Sequence, residues 1–188
     1  MSFFDNLKQP TAAAPMESGN ENSSYEVVFE RIPVGLEQMK ALPEASLSKP
    51  QYTAALAIAA LSIYPVNKEA SLQMLEFLHG PKGLSTYDKQ FIADRFRNKD
   101  YVPRSYFQGA APENNYEPSQ PYTLTFFENP YSRSNFNEGY LTLHIKSAGA
   151  DSPRQIKLRC KASTGQWFLW EQFLLADIRQ PFAADPWA

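Results

Sequence analysis

Residues 122–173 read YTLTFFENPYSRSNFNEGYLTLHIKSAGADSPRQIKLRCKASTGQWFLWEQF, and apolar and polar positions alternate along them with period two. Such alternation marks strands with one buried and one solvated face. Four strands are predicted, near 122–128, 139–147, 154–162 and 166–176. The breaks fall at Asn129 and Pro130, at Asn137 with Gly139, at Gly149 to Pro153, and at Thr164 with Gly165. All are residue types that favour turns. The last segment is expected to change direction near Phe173.

Parity sorts the two faces. In the second strand Leu141, Leu143 and Ile145 point one way, and Tyr140, Thr142, His144 and Lys146 the other. In the third, Ile156, Leu158 and Cys160 oppose Gln155, Lys157, Arg159 and Lys161. With Leu124 and Phe126 inward, Thr123 and Thr125 of the first strand join the outward set. On neighbouring antiparallel strands, His144, Lys146, Lys157, Arg159 and Lys161 then share one patch, with Trp167 or Trp170 near its edge. These seven residues form the candidate binding site. Cations beside aromatics on a sheet face are the ingredients of single-stranded nucleic-acid recognition. They are also what a solvated antiparallel face carries to discourage edge-to-edge association.

Upstream, Val27, Val28, Phe29 and Ile32 predict a strand over 25–32, stopped by Pro33 and Gly35. A short helix follows through Leu36, Met39 and Leu42. After Pro50, Tyr52, Ala55, Leu56, Ala59 and Ile63 share a stripe, while Ala54, Ile58 and Leu61 carry apolar character round most of the circumference. That pattern belongs to a buried helix. Asn67 caps the next one, which runs through Leu72, Leu75 and Leu78 to Gly80. Ser85 and Asp88 resemble a capping box for a further helix whose inner face holds Phe91, Ile92 and Phe96. The expected class is therefore α+β: about three to four helices packed on one face of a mainly antiparallel sheet of four to five strands.

The chain divides into a flexible arm, residues 1–24, and a single α+β domain, residues 25–188. Within the domain lie a helical part over 33–100, a proline-rich connector over 108–121, the strand meander over 122–176 and an aromatic tail over 177–188. In the arm, Phe3, Phe4 and Leu7 recur at helical spacing, as a docking tip or as a frayed end lying on the domain. In the tail, the preferred reading lays Phe182 and Trp187 back on the domain; the other presents them to a partner.

A length of 188 residues with 43% hydrophobic content suits one core. Its one cysteine, Cys160, excludes an internal disulfide framework and a multi-cysteine zinc site. No charged leader with an apolar core and no apolar run near 20 residues is present, so a cytoplasmic protein without a membrane span is expected. The net charge of −2 gives no global attraction to nucleic acid, which would need a local patch.

Enzyme motifs are absent: no nucleophile elbow, zincin helix, phosphate-cradling loop or dinucleotide fingerprint. Neither a cofactor nor a metal site is called for. His79, at a helix C-terminus, reads as a cap whose imidazolium the dipole favours. His144 and Cys160 fall on opposite faces by parity and make no dyad; Cys160 reads as a small buried hydrophobe. The run His79–Ser85 leads into a helix N-terminus, where amides can hold an anion, although Gly80 as terminator and Ser85 as cap explain it without one. Glu171 lies among aromatics, and its pKa would rise if it were buried.

The runs Gly139–Leu143, Gly149–Arg154, Ile156–Arg159, Thr164–Trp170 and Asp185–Trp187 resemble an uncharacterised family, a domain of unknown function, of Gram-positive, often gut-dwelling bacteria. The resemblance covers roughly residues 50–188. It implies a bacterial cytosolic setting and carries no catalytic residues. The reading is a non-enzymatic binding or protein-interaction module using the basic face and nearby aromatics. The alternative is a small-molecule enzyme with a cleft between helices and sheet, using Glu171, His144 or tyrosines such as Tyr101 and Tyr106. Partners in view are a protein, a second copy through exposed aromatics, and, behind these, nucleic acid or another anionic ligand.

Overall fold

The computed structural model describes residues 23–187, so the apolar face of Phe3, Phe4 and Leu7 expected in the arm lies outside the described residues. Elements follow in the order β1 (Ser24–Phe29), α1 (Leu36–Lys40), α2 (Pro50–Ile63), α3 (Lys68–His79), α4 (Thr86–Arg95), β2 (Tyr122–Phe127), β3 (Tyr140–Ile145), β4 (Arg154–Lys161) and β5 (Gln166–Gln172). The five strands form one antiparallel sheet in the order β1-β2-β3-β4-β5. Four helices and this curled sheet make the α+β class that the patterning predicts. The strand before the helices returns to pair with β2, from Ser24 opposite Phe127 to Phe29 opposite Tyr122.

The central element is α2. Every residue from Thr53 to Leu61 is buried, and the helix touches β1, β3, β4 and β5 as well as α3. Its alanines, Ala54, Ala55, Ala57, Ala59 and Ala60, let neighbours approach closely on several sides, and Ser71 of α3 donates to the carbonyl of Ala60 at 2.7 Å. Leu56, Ile58 and Leu61 are the large fillers, each contributing about 2 kcal/mol by burial. Where β5 would leave an open edge, the helical layer closes it. Trp167 N donates to Leu47 O at 2.8 Å, and Thr53 Oγ1 donates to Trp167 O at 2.6 Å.

Helix ends follow the capping chemistry. Asn67 accepts from Ala70 N at 3.0 Å, and Ser85 and Asp88 form the reciprocal box at the start of α4. Ile92 and Phe96 are buried on its inner face, with Phe91 half-buried. The tail corrects an expectation. It is tied down through Ile178, whose carbonyl accepts from Tyr101 OH at 3.1 Å, and through Arg179, whose carbonyl accepts from Tyr116 OH at 2.7 Å. Past those anchors Phe182, 50% exposed, packs partly back beside Pro112, whereas Trp187 is 93% exposed and does not lie on the domain. Among the described residues no helix is long and apolar enough to cross a membrane.

Candidate functional site

The outward face splits into two regions of different character. At the end of β3 near Ile145, the segment after β2 folds across the sheet and closes it. His144 faces outward by parity yet is buried, because this segment covers it: its ring nitrogens lie 3.3 Å from Ser132 Oγ and 3.2 Å from Asn129 Nδ2. Burial holds its pKa below the usual histidine value, opposed by a backbone hydrogen bond at Phe127. Beside it, buried Glu128 accepts from Arg133 Nε at 2.5 Å, from Arg133 Nη2 at 2.9 Å and from Tyr25 OH at 2.5 Å. His144 therefore leaves the solvated patch that parity predicts. Lys146 is exposed but sits past the end of β3 opposite to Tyr140, away from the other cations.

At the Tyr140 end the face stays open. Here Tyr140 pairs with Arg159, and Thr142 with Lys157. Trp170 is the extra residue of an irregularity in β5: Leu169 sits opposite Leu158 and Glu171 opposite Lys157, leaving Trp170 without a register partner. That bulge turns its ring toward β4 and the segment after α3. The result is a ladder of alternating cations and rings. Lys82 lies 4.7 Å from the Trp170 centroid and Arg159 5.0 Å from it; Arg159 lies 4.8 Å and Lys157 5.0 Å from the Tyr140 centroid. Arg159 also donates to Tyr140 OH, and Lys82 to Trp170 O at 2.7 Å. Tyr140 and Trp170 meet edge to face at 5.6 Å. Among the described residues none of Lys82, Lys157, Arg159 and Lys161 has a carboxylate within ion-pair distance.

Trp167 does not belong to this ladder, which corrects its candidacy. Parity sets it with Leu169 on the inner face opposite Cys160, and it is buried with its ring stacked on Phe136 at 6.1 Å. Thr123 is likewise buried, while Thr125 is exposed as expected.

Beside the ladder opens a cleft of about 830 Å³, with Lys82, Arg159 and Lys161 among its cations and Phe168 and Trp170 among its rings. Its wall depends on Gly80, which ends α3 at φ 52°; a Cβ there would sit 2.2 Å from the Phe168 ring, so only glycine combines that backbone with that contact. His79 also lines the cleft, and it is not the charged cap that the sequence predicts. It is 6% exposed, its Nδ1 has no hydrogen-bond partner among the described residues, and burial together with Lys82 holds its pKa near 4. Desolvation outweighs the helix dipole here. Cys160 lines the same cleft half-buried, with burial pushing its thiol pKa up.

The residues of the enzymatic alternative do not converge. Glu171 is exposed. Tyr101 stacks on Tyr116 at 5.5 Å, and buried Tyr106 donates to Leu174 O. Among the described residues no cluster of three His, Cys, Asp or Glu side chains is placed to hold a metal ion. The site residues missed by parity are Lys82 and His79, which come from the helical half, and Tyr140, a strand residue read only as polar surface.

Residues 31–182 match the family described as Domain of unknown function (DUF6935), and the chain belongs to that family. Neither a curated protein nor a solved structure matches it.

Proposed function

We propose that this DUF6935 protein is a non-enzymatic, cytoplasmic binding module of a Gram-positive bacterium that takes an acidic segment of a protein partner on its cation–aromatic ladder and the adjoining cleft. The observation that carries the reading is the set of four cations, Lys82, Lys157, Arg159 and Lys161, without a carboxylate at ion-pair distance among the described residues, in a chain whose net charge is −2. Three of them are held against ring faces or by a ring hydroxyl, so little side-chain entropy is lost when an anion arrives.

Nucleic acid fits this surface less well. Recognition of single strands needs free ring faces on which bases stack, and cations already stand over Trp170 and Tyr140. Glu138 on the rim and exposed Glu171 opposite Lys157 also interrupt the basic surface, which suits spaced carboxylates better than a continuous phosphate backbone.

The test is fluorescence anisotropy of a labelled oligoglutamate peptide titrated with the protein at low and physiological salt. The Lys157→Glu, Arg159→Glu, Lys161→Glu variant, folded by circular dichroism, is expected to bind at least about tenfold more weakly. An unlabelled single-stranded oligonucleotide is expected to compete poorly. Equal binding by wild type and variant would sink the reading.

A further inference from the structure

We infer that the partner segment is the tail of a second copy of this chain, residues Phe182–Trp187, seated head to tail in the cleft and in the groove that continues it. This rests on the reading above that the cation–aromatic site binds an acidic segment.

The groove is a second cavity of about 1140 Å³ between α1, α3 and β5. It shares Pro81, Lys161 and Phe168 with the cleft, so the two cavities adjoin. Its floor is apolar, with Leu36, Leu47, Leu72 and Phe77, and Lys40, Lys68 and Lys89 stand at its sides. Over both cavities six cations face three carboxylates, Glu69, Glu76 and Glu138; Lys89 pairs with Glu76 at 4.0 Å and Lys40 with Glu37 at 3.4 Å, and the other four have no ion pair among the described residues. Such a channel asks for a segment that combines large apolar side chains with negative charge.

The chain carries one. From Gln180 onward its only charged side chain is Asp185, flanked by Phe182, 50% exposed, and Trp187, 93% exposed. An exposed tryptophan beside a carboxylate is the kind of anchor that dominates small interfaces. Within its own chain the tail's contacts run elsewhere than to the groove. Phe182, Arg179 and Asp185 line a small cavity with Pro112, Glu113 and Ala148, none of which borders the groove. Docking between copies uses two different surfaces, so the contact is heterologous. A patch this small gives weak association.

Sedimentation velocity over a concentration series tests this on the full chain. Wild type is expected to gain weight-average mass with concentration, whereas Trp187→Ala, which keeps its groove, and Leu72→Glu, which keeps its tail, each stay monomeric. An equimolar mixture of the two variants is expected to recover association, because a free tail then meets a free groove. Lys68→Glu with Lys161→Glu replaces Leu72→Glu should that variant unfold. The inference is overturned if wild type stays monomeric throughout, if Trp187→Ala associates like wild type, or if the mixture stays monomeric. Oligoglutamate binding separates the two readings. A monomeric wild type that still loses the peptide on Arg159→Glu leaves the acidic-segment reading standing without self-docking, and loss of both signals ends both.

Discussion

The two ends of the outward sheet face begin from similar ingredients and finish in opposite states. Around His144, every polar group that the fold buries has a partner: Glu128 is met by Arg133 and Tyr25, and His144 by Ser132 and Asn129. Around Trp170, cations stack on rings and meet no carboxylate at ion-pair distance among the described residues. The first arrangement is closed and holds the segment after β2 to the sheet. The second is open, with its cations in no ion pair among the described residues. Arginine occurs in both, so the residue type does not distinguish scaffold from site; its partner does.

Breaking the closed end should produce the largest effect. Glu128→Ala removes the buried carboxylate to which Arg133 Nε, Arg133 Nη2 and Tyr25 OH all donate. A loss of about 3 kcal/mol is expected, read as a lower urea midpoint. The oligoglutamate affinity of the protein that remains folded should be unchanged. A Glu128→Ala protein as stable as wild type would mean that the segment after β2 is held by something else.

Comparable at its acid limit, and smaller at any higher pH, is the pH dependence set by His79 at the floor of the open end. Its pKa is about 4 in the folded protein against an ordinary 6.5, so the unfolded chain takes up the proton first. Stability from the neutral ring is complete above pH 6.5 and is lost as pH falls toward 4. The total is about 3 kcal/mol at the acid limit, smaller at any intermediate pH. Glu76 and Asp88 oppose the shift from nearby. His79→Leu should flatten the curve of urea midpoint against pH over that window; an unchanged slope would show that other groups carry it.

The contrast was only half legible in the sequence. Alternation placed Leu141, Leu143, Ile156 and Leu158 inward and Lys157 and Arg159 outward, and the structure agrees. Caps at Asn67 and Ser85 were readable because they are local. His144 was not, since its burial depends on a segment folding over the face after β2, and parity says nothing about what covers a face. Trp170 and Trp167 could not be separated without knowing where β5 carries its extra residue. Lys82 was unreadable for a different reason: Gly80 must first bring the end of α3 against Phe168 before that lysine reaches the ring of Trp170. Local chemistry is written in neighbouring residues, whereas this site is assembled across 88 positions of chain.

The smallest predicted stability effect sharpens the comparison most. Arg159 is exposed and meets Tyr140 and Trp170 only through their rings and one hydroxyl. Truncating it removes two exposed cation–π contacts, each worth about 0.5–1 kcal/mol, and also relieves repulsion from Lys82 and Lys157. The net change in unfolding free energy for Arg159→Ala is expected to stay within about 0.5 kcal/mol, while oligoglutamate affinity falls about tenfold or more. A residue kept for the scaffold would behave the other way round, as Glu128 is expected to. If Arg159→Ala instead destabilises the protein as strongly as Glu128→Ala and leaves peptide binding intact, the ladder is part of the scaffold, and the difference between the two ends of the sheet is one of exposure alone.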